Sequence, residues 1–388
     1  TNPFASFDLG AEVGARCQDA TPLSWPQVHA FRLARHHLDR PASRNALAAV
    51  TDDVCGVQAQ VLSAAQLALR ARVRGLTPED VERALWRDRT LVKTWCMRGA
   101  LHLVPASEFG TYVRGVARRE SRSTGWLVRA GISRQEVDRT VDAIHDALAD
   151  GPLLRQDLAR RVSRVVGPRV RRWVGHSWGG AVLIASLRGR ACFGPNRGRE
   201  VTFVRPEDWI PGWRTIPAEE AETNLLRKYL RAYGPATPVD FSMWTNFTVA
   251  DARAIWERME RDLVPVEVGG RAASALRSDL PVLRRARPRP GIRLLPSFDE
   301  YLLGHKDKGH LVDATHYKRV YRKAGWLSPV VLVDGRVAGV WSAAKSRGRL
   351  TITVEPFLRL GREFRDGVAA EADDVGRFFG LAAEVRYA

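Results

Sequence analysis

Cysteine is scarce in this chain. There are four in 388 residues, Cys17, Cys55, Cys96 and Cys192, and no two form a C-x-x-C pair. That spacing excludes the usual zinc and iron–sulfur frameworks. A chain this long and cysteine-poor is not a disulfide scaffold, so a reducing cytoplasm is the expected compartment. Long apolar runs are missing too: none reaches the roughly 18 residues of a membrane span, so no membrane partner is expected. The opening TNPFASFDLGAEVGARCQD lacks the basic-then-apolar layout of a secretion signal. There is no P-loop and no G-x-G-x-x-G after a strand, which argues against a nucleotide cofactor. His36 and His37 are adjacent without a carboxylate at ligand spacing, and His102 and His305 stand apart. No metal, and no cofactor of any kind, is expected.

Acid is in short supply relative to base. Lys plus Arg number 61 against 43 Asp plus Glu, a formal net charge of +18. An excess of this size points to a polyanion partner. Most of the basic residues are Arg, whose fork suits phosphate and guanine, although a GC-rich genome also favours it. Apolar residues make up 45 % of the chain, ample for packed cores over most of its length.

Helix and hairpin signals recur in a fixed order. Ser24-Trp25-Pro26-Gln27 reads as a capping box with proline in the first turn, followed by Val28, Phe31, Ala34 and Leu38 at helical spacing. A second helical stretch is predicted from about Val57 to Val73, and a third from Thr77-Pro78-Glu79-Asp80. LVKTWCMRGALHLVP then reads as strands Leu91–Met97 and Leu101–Val104 about an Arg98-Gly99 turn. Three helices and a hairpin are the order of a winged helix. A second round starts at Ser133 and closes on the hairpin ACFGPNRGREVTFV, with its basic tip at Gly194 to Arg199. A third starts near Ala218, with Thr248 capping a later helix and Leu263–Val268 and Ile292–Leu295 as strands. Gly151-Pro152 and Gly234-Pro235 each end a first helix, and each has an Asp five residues beyond the Pro, Asp157 and Asp240. That echo supports a repeat. The last ~80 residues read differently. Asp334-Gly335 marks a type I′ hairpin, RLTITVEPF alternates as a strand, and a closing helix is expected near Asp373–Leu381.

Several constellations invite chemistry. Gly175-His176-Ser177-Trp178-Gly179 matches the G-x-S-x-G nucleophile elbow. That elbow must follow a buried parallel strand, and the preceding GPRVRRWV is too basic to be one. A loop leading into a helix is the expected structure, and a serine hydrolase at Ser177 is the lesser alternative. Gln58-Ala59-Gln60 is quieter. On a helix its two amides diverge, whereas on an extended segment they share a side. The spacing alone favours two ordinary polar positions. PSFDEYLLGHKDKGH concentrates Asp299, Glu300, His305, Lys306 and Lys308, and reads as a domain junction. Basic hairpin tips place Arg188, Arg190, Arg197, Arg199 and Arg336 as candidates for phosphate or groove contacts.

Three segments together, VQAQ at 57–60, MRGALHLVP at 97–105 and LLPSFDEYLLGHKDK at 294–308, resemble the winged-helix DNA glycosylases of the AlkZ/YcaQ group. The likeness extends from about residue 21 to 388. It implies an α+β chain: a tail at 1–20, winged-helix units at 21–125, 126–212 and 213–304, and a β-rich, barrel-like domain at 305–388, together C-shaped around a DNA channel. It implies a monofunctional glycosylase, without lyase activity, that hydrolyses the bond to N7-alkylated purines in double-stranded DNA. Some relatives unhook interstrand crosslinks as self-resistance to a DNA-alkylating natural product. Gln58 and Gln60 match the catalytic pair, with Gln rather than Asp in the second place, as on the AlkZ side of the group. The other two segments add Arg98, His102, His305, Lys306 and Lys308 to the DNA-facing candidates. A monomer associated with the bacterial nucleoid is expected. A winged-helix regulator without catalysis is the principal alternative.

Overall fold

A computed structural model describes residues 20–120, 131–358 and 361–388. The tail at 1–19, with Cys17, lies outside the described residues. The protein is a mixed α+β chain in which one element order occurs three times. The first set is Leu47–Asp53 (helix), Val57–Gln58 (strand), the helices Leu62–Arg70 and Pro78–Trp86, then the strands Leu91–Trp95 and Leu101–Pro105. The second is Arg134–Ala147, Leu153–Leu154, Arg155–Val166, Gly180–Leu187, Cys192–Arg197 and Glu200–Val204, with a short helix Val170–Val174 inserted. The third is Ala218–Tyr233, Pro238–Thr245, Val249–Arg258, Leu263–Val268 and Arg271–Leu276. Its first strand is reduced to a bridge between Ala236 and Ser274. In each set the last strand lies between the other two.

Local chemistry starts these elements where the sequence places them. Ser24 with Gln27, Thr77 with Asp80 and Thr237 with Asp240 form complete capping boxes, each with proline in the first turn. Ser133 and Thr248 cap their helices through the hydroxyl. Each such cap is worth about 1 kcal/mol. Asp157 and Asp240 both fall in the first turn of the second helix of their sets, so the echo after Gly-Pro is structural.

Four expectations change. The helix Trp25–Arg35 does not open the first unit. Its Val28 and Phe31 pack with Val264, Val266 and Val268 of the third set, and strand Thr21–Leu23 pairs in parallel with Thr21 opposite Val266. The first set opens instead on Leu47–Asp53, a helix too short for its pattern to stand out. The stretch expected to be helical from Val57 is extended at Val57–Gln58 and becomes helix only at Leu62. Ile292–Leu295 leaves the third set and pairs with Val330–Val333, so the C-terminal unit reaches back before residue 305. The closing helix runs Arg362–Phe379, well before the expected start, and a last strand Ala382–Tyr387 follows it.

The C-terminal sheet has the order Ile292–Leu295, Val330–Val333, Arg336–Ser346, Arg349–Pro356, Ala382–Tyr387. Its outer strands do not pair with each other, so the barrel-like expectation is met by a curled sheet that is an open half-barrel. Asp334 and Gly335 both have positive φ, as a type I′ turn requires. Val368, Ala372 and Val375 of the long helix cover Leu294, Val331 and Ile352. The largest apolar core lies elsewhere, where Ala218–Tyr233 meets Phe109–Gly115. Gly115 permits that approach, because a Cβ there would stand 3.0 Å from the Ala221 carbonyl and from Leu225.

Two arginines join the first set to the C-terminal part. Arg72 makes a two-pronged pair with Asp299, at 2.7 and 2.8 Å, with both side chains sealed from water. Arg70 reaches Asp374 at 2.9 Å and the Leu294 carbonyl at 2.8 Å. His36 is held neutral beside this pair, far below its ordinary value, by burial and then by Arg72. Removing one partner of a sealed ion pair costs about 3–5 kcal/mol. Asp299→Ala is therefore expected to lose stability on that scale in urea unfolding, whereas a loss under about 1 kcal/mol would show that the pair does not hold the junction.

Candidate active site

Gln58 and Gln60 sit at the end of the short strand Val57–Gln58, which pairs with Leu101–Pro105 so that Gln58 lies opposite His102. The extended backbone puts both amides on one cleft. That cleft, about 610 Å³, is walled by Lys93, Trp95 and Arg98–Leu101 from the first set, and by Arg155, Gln156, Ser177, Trp178, Phe193 and Arg199–Val201 from the second. Arg155 and Gln156 follow the strand Leu153–Leu154 much as Ala59 and Gln60 follow Val57–Gln58. The repeat thus supplies both walls from equivalent places.

Each amide oxygen is engaged. Arg98 Nη2 donates to Gln58 Oε1 at 2.9 Å, and the Leu101 main-chain N–H donates to Gln60 Oε1 at 3.3 Å. A donor at the oxygen decides which way round an amide lies. Arg98 is itself over-determined. It has φ 55°, in the left-handed region that costs a non-glycine residue about 1–2 kcal/mol. Its Nη1 donates to the Trp244 carbonyl at 3.3 Å, and its Nη2 faces His102 Nε2 at 3.3 Å. His102 Nδ1 lies 3.0 Å from the Ala100 carbonyl and donates to it, which leaves Nε2 as an acceptor for Arg98. Burial, and then Arg98, hold His102 neutral, well below the usual imidazole range. Gly99 follows with φ 68°, in the left-handed region that favours glycine.

Beneath Gln58 lies Glu300, 1 % exposed. Its Oε1 accepts the Gln58 main-chain N–H at 2.6 Å, and its Oε2 accepts the Tyr233 hydroxyl at 3.2 Å and lies 3.8 Å from Arg98 Nη2. Burial pushes this carboxyl up to about 7, against the pull of Arg98 and the Gln58 N–H. Glu300 belongs to the acid-bearing loop read as a junction, and no local pattern signals that the loop passes under Gln58.

The cleft is basic. Arg155 rests its guanidinium 4.7 Å from the Phe203 ring centre, and burial lowers it to about 10, still a cation at neutral pH. Lys93 places its ammonium 5.2 Å from the Phe193 ring centre and is lowered by burial. Arg199 is exposed on the hairpin, and Trp178 is 76 % exposed on the opposite wall from Gln58. Lys93 and Arg155 carry no signal of their own in the sequence, and Trp178 lies in the segment read for Ser177, where the motif points to the serine rather than to the ring.

The predicted DNA-facing residues divide. Arg98 and Arg199 line the cleft with the glutamines. Arg197, Lys306 and Arg336 are exposed elsewhere, Arg336 bound to Asp313 at 2.6 Å. Arg188 is occupied by Glu120 at 2.5 Å and Asp138 at 2.8 Å, and Arg190 lies 3.7 Å from Asp142. His102 and His305 are corrections: both are buried, and His305 Nε2 lies 2.8 Å from Arg32 Nη2, so neither has a face to offer a phosphate. Lys308 turns its ammonium inward to the Leu302 carbonyl at 2.9 Å, and burial lowers it to about 7, which removes it as a groove contact in this conformation. His36, His37, His102 and His305 share no ligand geometry, and among the described residues no His, Cys, Asp and Glu cluster could hold a metal.

Residues 51–378 match the family described as DNA glycosylase AlkZ-like. The chain belongs to that family. An interstrand DNA cross-link repair glycosylase of Streptomyces sahachiroi is 36 % identical over 369 residues, 92 % of this chain and 97 % of the relative. The solved structure of Streptomyces sahachiroi DNA glycosylase AlkZ superposes with a TM-score of 0.85 at 34 % identity, over 95 % of this chain and all of that one. Among the described residues no helix is long and apolar enough to cross a membrane.

Ser177 is on an exposed loop between Val170–Val174 and Gly180–Leu187, with no strand before it. His176 Nδ1 accepts the Trp178 main-chain N–H at 3.3 Å, so it does not serve Ser177 as a base. A fluorophosphonate probe is expected to leave Ser177 unmodified in mass spectrometry; stoichiometric labelling there would restore the hydrolase.

Proposed function

We propose that this protein hydrolyses the N-glycosidic bond of cationic N7-alkylated purines in duplex DNA, with Gln58 and Gln60 acting together on the attacking water. The observation that carries this reading is the pair of amides side by side in a basic cleft of an AlkZ-like chain. An N7-alkylated guanine already bears positive charge, so the base leaves neutral and the barrier is lower before the enzyme acts. Positioning water beside C1′ and steadying a cationic sugar with oriented dipoles then suffices. Each amide oxygen has two lone pairs. Arg98 and the Leu101 N–H take one apiece, which leaves one to accept from water, while neither amide nitrogen has a partner among the described residues. Glu200 is the one carboxylate among the residues lining the cleft, on the wall of the second set.

On this reading the three sets are winged helices and the chain curves around the duplex. Arg155, Arg199 and Lys93 are the grip nearest the lesion, while Arg98 is committed to Gln58 and the Trp244 carbonyl. The cleft is open rather than a closed base pocket, so a bulky adduct need not be flipped fully out, as base chemistry otherwise demands. The cross-link repair in the relative's name fits such a site, and unhooking of interstrand crosslinks as self-resistance is proposed here too. The enzyme is proposed to act as a monomer, without a cofactor and without lyase chemistry. Lys93 is the lysine to watch, because burial lowers it and a lowered amine is the more nucleophilic one.

Gln58→Ala with Gln60→Ala is expected to abolish release of 7-methylguanine from duplex DNA while leaving binding in place. Undiminished release by the double variant would remove both residues from the mechanism. Binding should weaken with salt with a log–log slope of about −0.9 per phosphate neutralised, and Arg199→Ala should reduce that slope by about 1. Borohydride should trap no adduct with an abasic duplex; a trapped species lost in Lys93→Ala would show lyase activity instead.

A further inference from the structure

We propose that Glu300 is a positioning residue for this site: from beneath it, the carboxylate holds both the Gln58 backbone and the Arg98 guanidinium, and through Arg98 it sets the Gln58 amide. The inference rests on the reading that Gln58 acts on the lesion. Three contacts carry it. Glu300 Oε1 takes the Gln58 N–H at 2.6 Å, Glu300 Oε2 lies 3.8 Å from Arg98 Nη2, and that same Nη2 donates to Gln58 Oε1 at 2.9 Å. Carboxylate, guanidinium and amide therefore form a closed ring about one residue. The ring anchors Gln58 at both its main chain and its side-chain tip.

Folding does not need a charge here. A glutamine at 300 would accept the Gln58 N–H and meet the Tyr233 hydroxyl as well, without the penalty of burying an ion. What only an ionised carboxylate adds is a counter-charge for Arg98. With it, Arg98 is drawn down between Glu300, His102 and the Trp244 carbonyl, and presents Nη2 to Gln58. Without it, the guanidinium is free to turn to the cleft, where a DNA phosphate competes for it. The Gln58 oxygen then loses the donor that fixes its orientation.

The ring is also a proton switch. The groups facing Glu300 are Arg98 from the turn after Leu91–Trp95, Tyr233 from Ala218–Tyr233, Asp299 with its partner Arg72, and the thiols of Cys55 and Cys96. Burial keeps the Tyr233 hydroxyl and both thiols protonated, Cys96 pushed up to about 12, and His102 stays neutral. Between pH 5 and 9, roughly, Glu300 is therefore the member of the ring that changes charge, near 7; Lys308, lowered by burial to about 7 and facing Arg98 from outside the ring, titrates in the same range, and the two are told apart by whether Glu300→Gln keeps the pH rise. Above that pH it is ionised and the ring is closed; below it the carboxyl is neutral and Arg98 is released.

The test is single-turnover release of 7-methylguanine at saturating enzyme, corrected for spontaneous loss, from about pH 5.5 to 8.5. The wild-type rate constant should rise with pH through an apparent value near 7. Glu300→Gln should be slower above that value, on the order of 10- to 100-fold for a displaced group, flat with pH, and close to the acid limit of the wild type. Its duplex affinity should stay within about 2-fold, as a loss confined to the transition state requires. Glu300→Asp, which keeps the charge, should restore part of the rate and the pH dependence. A Glu300→Gln enzyme with the wild-type rate, or a slow one that keeps the wild-type pH rise, overturns the proposal. So does a flat wild-type profile, which needs no variant at all. If Gln58→Ala abolishes release while Glu300→Gln behaves as wild type, only this inference fails; if Gln58→Ala is fully active, the reading of the site fails with it.

Discussion

The two-pronged pair between Arg72 and Asp299 is the constraint on which the site depends. Both side chains are sealed from water. Such a pair tolerates little displacement, because separating its members leaves two bare charges in a medium that solvates them poorly. Arg72 follows the helix Leu62–Arg70 of the first set, and Asp299 opens the loop that leads away from Ile292–Leu295 of the C-terminal sheet. Once these two are locked, Glu300, the next residue, has one place to go: under Gln58. The neighbouring Arg70 repeats the tie on the sheet's helix through Asp374 and Glu371. Two segments some 240 residues apart thus meet with hydrogen-bond precision. The strand that carries Gln58 is only two residues long, and its register could not be fixed by its own ladder.

The repeat explains why a cleft exists. A set whose last strand lies between the other two leaves its first strand at the sheet edge, short and followed directly by a helix. In the first set that edge carries Gln58 and Gln60; in the second it carries Arg155 and Gln156. The hairpins Leu91–Trp95 with Leu101–Pro105 and Cys192–Arg197 with Glu200–Val204 complete the walls, and Trp95 packs on Phe193 with ring centres 4.7 Å apart to join them. The floor between the sets is therefore rigid and aromatic, while the rim bears the cations. A polyanion is attracted by the rim, and the amides wait at a fixed depth below it.

Much of this was legible in the sequence, and what was not has physical causes. Capping boxes at Ser24, Thr77 and Thr237 are local chemistry, so their helices begin where the sequence places them. The Asp334-Gly335 hairpin is local too. The order of helices and hairpins survives because periodicity is a property of each segment. Partnership is not. The helix Trp25–Arg35 is amphipathic wherever it docks, and only the structure shows that Phe31 faces Val266 rather than the first set. Ile292–Leu295 is an apolar strand for any sheet. The spacing of the glutamine pair is mute as chemistry, and only the resemblance of its segment assigns it a part; the extended backbone is what brings both amides to one cleft. His102 and His305 show the opposite error: polar residues in a marked segment were taken for surface, yet both are spent inside on arginines. Glu300 fell within a loop already singled out for its charges. Its function there depends on a contact across the fold, which no local pattern encodes.

The arrangement also bears on why the acting groups are amides and the acid stands behind them. On the proposed reading, a carboxylate in place of either glutamine would lie among Arg98, Arg155, Arg199 and Lys93 and would be drawn into pairing with them, whereas Glu200 stands on the wall of the second set. It would also attract any cationic base, damaged or merely protonated, and bind the ground state as well as the transition state. Binding both equally gives no acceleration of the chemical step. An amide keeps the dipole and sheds the charge. On that reading, placing the negative charge one layer down, on Glu300, lets it act on Arg98 rather than on the lesion, and leaves a positive rim for phosphates and two neutral amides for water. On the same proposed reading discrimination rests on the substrate: a base without positive charge leaves too slowly for two amides to help, and no pocket shaped to reject normal purines is needed.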